Sequence, residues 1–83
     1  MHSNILLQAI KQTEGIKYYD DYMLEYFIED NFVQVEKYSN NKLSITIENK
    51  VSGSWIKQNI YDLALFKLFV RVNISELEIE LSN

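Results

Sequence analysis

The chain has no cysteine and no proline among its 83 residues, only two glycines, one histidine and one arginine. Each shortage excludes something. Without cysteine there are no disulfides and no thiolate metal sites, the staples a secreted domain this small ordinarily needs, so a reducing, cytoplasmic setting is expected. With only Gly15 and Gly53, far apart, no glycine-rich phosphate loop of the Walker or dinucleotide type can be built. His2 alone near the start of the chain offers no nucleophile–base pair, so no catalytic residues are assigned and the chain is not expected to be an enzyme. Asp20-Asp21 lacks the alternating oxygen ligands and glycine of a calcium loop, so no metal and no cofactor are expected. Arg71 as the only arginine, with the lysines scattered singly and a net charge of −4, argues against direct nucleic-acid binding.

Long apolar runs are also missing. The richest stretch, Ile60 to Val72, is interrupted by Asp62, Lys67 and Arg71, which excludes a bilayer span. The first dozen residues lack the basic and apolar regions of a signal peptide, so Asn73-Ile74-Ser75 is a chance glycosylation match. What remains is 47% hydrophobic and 24% charged, the composition of a folded chain. The length fits a single compact domain over residues 1–83 with a thin core.

Ser3 as N-cap and Gly15 as terminator predict a first helix, with Ile5, Leu6, Leu7, Ala9 and Ile10 on its apolar face. Residues 19–30 read as a second helix. Asp21, Glu25 and Glu29 then form one acidic stripe at i, i+4, i+8, flanked by Tyr22 and Tyr26, with Met23, Leu24, Phe27 and Ile28 opposite. The best strand signal is the hairpin Phe32–Tyr38 and Lys42–Glu48, closed at Asn40-Asn41, in which Leu43, Ile45 and Ile47 alternate with polar residues. Trp55–Gln58 reads as a short third strand. A third helix, capped by Asn59 and running from Ile60 to about Phe69, is apolar almost all round, so Leu65 or Phe66 should be fully buried. Val70–Ile74 and Leu77–Leu81 alternate again and read as a final strand, although Ser75-x-x-Glu78 also fits a helix-capping box. The expected fold is α+β, a small antiparallel sheet of three to four strands with helices packed on one side, in the order α-α-β-β-β-α-β.

Tyrosine gives large contact area at low entropic cost and is enriched at interfaces. Asp21, Tyr22, Glu25, Tyr26 and Glu29 are therefore the candidate partner-binding residues, and a larger protein with a basic site is the expected partner. Glu76, Glu78 and Glu80, spaced along a strand, form an alternative acidic row, although such charges ordinarily only protect a sheet edge. In size, acidity and residue bias (much Ile, Asn, Lys and Tyr) the chain is similar to small phage-encoded inhibitors of host defence proteins. That likeness implies an inhibitor or modulator of a larger host protein. The other expectation is a structural homo-oligomer, a homodimer for instance, held by the apolar third helix or a sheet edge.

Overall fold

The computed structural model describes the backbone of residues 2–14, 16, 18–20 and 22–82 and the side chains of residues 2–12, 16, 20 and 22–74. It has helix α1 (Ser3–Glu14), strands β1 (Tyr18–Tyr19), β2 (Met23–Ile28), β3 (Asn31–Ser39), β4 (Lys42–Asn49) and β5 (Trp55–Ile60), and helix α2 (Leu63–Ser82). The strands form one antiparallel sheet in the order β1-β2-β3-β4-β5, so every strand pairs with its neighbours in sequence. The α+β class with a small antiparallel sheet is as expected, and the element order matches roughly: the expected second helix is strand β2, the expected final strand is part of α2, and the sheet has five strands rather than three to four.

Register sorts the strand residues into two faces. Leu24, Val35 and Ile45 line up across β2, β3 and β4, as do Tyr26, Val33 and Ile47 in the next row. With Leu43 and Ile60 these meet Leu6, Leu7 and Ile10 of α1 and Phe66, Phe69 and Ile74 of α2 in a single core cluster. Phe66 has no exposed surface, which meets the expectation for the Leu65–Phe66 pair. The opposite face of the sheet carries Met23, Glu25 and Phe27, then Phe32, Gln34 and Glu36, then Ser44, Thr46 and Glu48.

Helix α1 is capped by His2, not by Ser3. The His2 carbonyl accepts from the Leu6 amide at 3.0 Å and its Nδ1 accepts from the Asn4 amide at 3.2 Å. Ser3 serves tertiary structure instead. Its hydroxyl donates to the Ser39 carbonyl and accepts from the Lys42 amide at 2.9 Å, while its own amide donates to the Asn40 carbonyl at 2.8 Å. The helix start is thereby tied to the turn between β3 and β4. The expected terminator, Gly15, lies outside the described residues.

Residues 19–30 are not a helix. Asp20 Oδ1 accepts from the amides of Tyr22 and Met23 at 2.7 and 2.8 Å, which turns the chain into β2 rather than starting a helical turn. Leu24, Tyr26 and Ile28 then alternate onto the core side. A two-residue turn at Glu29-Asp30, with Glu29 at φ 54°, closes the hairpin to β3. The spacing of the acids is helical, but the alternation of the apolar residues decides the conformation, because it lets β2 cover one edge of the core.

The expected final strand is also absent. Residues 70–82 continue the helix of residues 63–69 as α2. Leu63, Phe66, Val70 and Ile74 recur at helical spacing and join or pack against the core, and this period overrides the alternation seen in the sequence. The helix begins later than expected. Ile60 ends β5, and Asp62 is the cap, its Oδ1 accepting from the Leu65 amide at 2.7 Å.

Candidate docking edge

The helix expected to align Asp21, Glu25 and Glu29 into one stripe is absent, because Met23–Ile28 is strand β2. Glu25 stands half-buried on the helix-free face of the sheet, where its carboxylate accepts from Gln34 Nε2 at 3.3 Å. Tyr26 is the next residue along a strand, so it points to the other face and packs against the core. Glu29 is exposed in the β2–β3 turn. Tyr22, 68% exposed, lies at a bend beside a polar hollow lined by Asn4, Gln8 and Lys37. Asp21 lies outside the described residues. Of the four described, the structure brings no two together as an acid–aromatic patch. Glu76, Glu78 and Glu80 fall within helix α2 rather than on a strand, and their side chains lie outside the described ones.

Another surface has the properties that those residues lack. Among the described residues, strand β5 is one free edge of the sheet, with β4 on one side and no strand on the other. Its burial pattern is singular: Trp55, Ile56, Lys57, Gln58 and Asn59 are all exposed, and only Ile60 is buried. An edge strand presents a row of backbone amides and carbonyls that can accept a further strand. Ile56 pairs in register with the fully buried Ile47, so it belongs to the core face, yet it is 39% exposed. The apolar face of the sheet therefore runs past its cover at this edge.

Helix α2 lies over the same margin. Gln58, Leu65, Leu68, Phe69, Val72 and Asn73 line a shallow groove of about 220 Å³ between β5 and α2. Leu68 and Val72 are 50% and 41% exposed, and Trp55 is 66% exposed. Lys67 and Arg71 border Leu68 on the outer side of the helix. The groove lining itself is apolar apart from the amides of Gln58 and Asn73. His2, the lone histidine, is engaged at the start of α1. Among the described residues, no group of three or more acidic or histidine side chains could hold a metal ion. No helix among them is long and apolar enough to cross a membrane.

No residue of this edge stands out in the sequence, because each is ordinary alone. Two signals were nevertheless present. A tryptophan and an isoleucine open a strand that holds a single charge, Lys57, and the basic residues thicken toward the second half of the chain. Comparison with family models, with curated proteins and with solved structures finds no match.

Proposed function

We propose that this chain is a small acidic protein-binding module, and that its docking element is the free edge of β5 together with the apolar overhang of α2. The observation that carries this is the run of five exposed residues, Trp55–Asn59, on a strand with an open hydrogen-bonding edge, beside exposed Leu68 and Val72. Strand addition recruits main-chain hydrogen bonds for affinity and a flanking groove for specificity. A module of this type acts as an inhibitor or modulator by occupying an extended segment of a larger protein. The acid–tyrosine pairing within the set does not support it, since Glu25 and Tyr26 are adjacent on β2 and face opposite sides of the sheet.

The test is position-specific crosslinking in the organism that encodes the chain. A photoreactive residue is placed singly at Lys57, at Leu68 and, as a remote control, at Gln8 on α1. Adducts formed at positions 57 and 68 and not at 8 are expected. Equal yields at all three positions, or none, would remove the docking edge from consideration.

A further inference from the structure

Both helices pack on one face of the sheet, and among the described residues the other face is uncovered. Register arranges the side chains of that open face in rows. One row is aromatic: Phe27, Phe32, Glu48 and Trp55 are successive partners across β2, β3, β4 and β5. The rings of Phe27 and Phe32 lie 5.1 Å apart, and Phe27 and Trp55 are 60% and 66% exposed. Glu48, between the rings, is paired with Lys50. The next row is Glu25, Gln34, Thr46 and Lys57. It has an acid at its β2 end, a base at its β5 end and neutral side chains between. Lys57 is exposed and has no ion pair among the described residues.

From the opposed charges of this row we infer that a second copy of the chain covers the open face, related by a two-fold axis parallel to the strands and centred between β3 and β4. Such an axis keeps each row in place and reverses the strand order, so β2 of one copy stacks on β5 of the other. Glu25 then meets Lys57 of the second copy, and Phe27 meets Trp55 of the second copy, each contact occurring twice. The charges choose this axis. A two-fold across the strands would stack β2 on β2 and β5 on β5, setting Glu25 against Glu25 and Lys57 against Lys57. Glu36 on β3 comes to lie over β4 of the second copy, one row from Lys42. Aligned sheets pack about 10 Å apart, a gap that ring-sized side chains fill. Four strands at ~4.8 Å and three rows at ~6.8 Å give a flat footprint of roughly 400 Å² on each copy. That is about half of a standard interface, so the dimer is a weak one, with a dissociation constant in the micromolar range or above. A nucleic acid fits the face poorly, because Glu25, Glu36 and Glu48 outnumber Lys42 and Lys57. The contact is independent of the docking edge: it leaves the outer backbone groups of β5 and the groove under α2 open.

The test is nuclear magnetic resonance of an equimolar mixture of isotope-labelled and unlabelled full chain at high concentration. Within one copy Phe27 and Trp55 stand three strand spacings apart, about 14 Å, which is beyond the reach of a nuclear Overhauser effect. Isotope-filtered contacts between the Phe27 ring and the Trp55 indole are expected, and they arise only between copies. Charge variants form a second arm, read by sedimentation. Glu25→Lys alone and Lys57→Glu alone should each weaken self-association about tenfold or more, because each sets like charges together at both contacts. Mixing the two variants restores opposite charges at both, so the mixture should regain wild-type association, which also shows that both variants fold. Leu68→Asp, on the helix side, should leave association unchanged. A chain that stays monomeric, self-association without the ring contacts, or a mixture of folded variants as weak as either alone overturns the face-to-face dimer. Loss of association in Leu68→Asp assigns it to the β5 edge, and binding of a single-stranded oligonucleotide to the open face without ring contacts assigns the face to nucleic acid; both overturn it too. If Glu25→Lys does not fold, the ring contacts of the wild-type chain decide. In the crosslinking test above, an adduct of two copies at position 57 is identified by its mass and counts for the dimer, not for the docking edge.

Discussion

Asn49 donates its side-chain amide to the Asn31 Oδ1 at 3.0 Å across two paired strands, and both residues are buried. The rest of each amide is engaged too. Asn31 Nδ2 donates to the Ile28 carbonyl at 3.2 Å, and Asn49 Oδ1 accepts from the amides of Val51 and Ser52 at 3.0 and 2.9 Å. The pair therefore fastens both the β2–β3 turn and the β4–β5 turn at one end of the sheet. Asn49→Ala strands one buried acceptor, Asn31 Oδ1, and leaves the amides of exposed Val51 and Ser52 to water, so it should cost about 1–3 kcal/mol. Asn31→Ala should cost less, since it releases fewer partners. A double-mutant cycle read by urea denaturation should give coupling of about 1 kcal/mol or more. Additive losses would show that the amides act separately.

Glu29 holds a positive φ of 54° in a turn where that conformation favours glycine. Its side chain is exposed. Glu29→Gly should therefore stabilise the fold by about 0.5–1 kcal/mol, the relief of the left-handed strain less the added chain entropy. An unchanged or lower melting temperature would contradict this.

Ser44 faces away from the helices but is only 4% exposed, and its hydroxyl has no hydrogen-bond partner among the described residues. Removing an unpaired buried hydroxyl removes its desolvation cost. Ser44→Ala should raise stability by about 1 kcal/mol. A destabilised Ser44→Ala variant would mean that the hydroxyl is in fact bonded.

Phe66 is the largest of the fully buried side chains and joins α2 to the core. Phe66→Ala should cost about 3–5 kcal/mol. Leu68→Ala, on the exposed side of the same helix, should shift the melting curve little, within about 0.5 kcal/mol. If Leu68→Ala is as damaging as Phe66→Ala, the exposed stripe is structural and not a docking surface.

The parts of this fold that were legible in the sequence are those in which a single periodicity acts alone. Helix α1 and the β3–β4 hairpin show only one period each, and the structure follows it. The β2 segment offered two. Acids at positions 21, 25 and 29 repeat at helical spacing, while Leu24, Tyr26 and Ile28 alternate. Only the apolar set contributes to burial, so only that set is informative about conformation. In α2 the conflict runs the other way, with β-like alternation over 70–81 and helical recurrence of Leu63, Phe66, Val70 and Ile74. The docking edge was hidden for a different reason. Exposure of Ile56 and Leu68 depends on where α2 crosses the sheet, and no local pattern encodes that distance.

Because each strand pairs with the next along the chain, the sheet can close through short loops, each at small entropic cost. The attachment of α1 is the exception. Its hydroxyl contacts from Ser3 reach Ser39 and Lys42, spans of 36 and 39 residues. The meander has the topology of a fast local zipper, whereas seating α1 requires the turn between β3 and β4 to exist first. Weakening the Ser3 anchor should then leave the folding rate nearly intact and express its whole effect in faster unfolding, the kinetic mark of a contact made after the barrier.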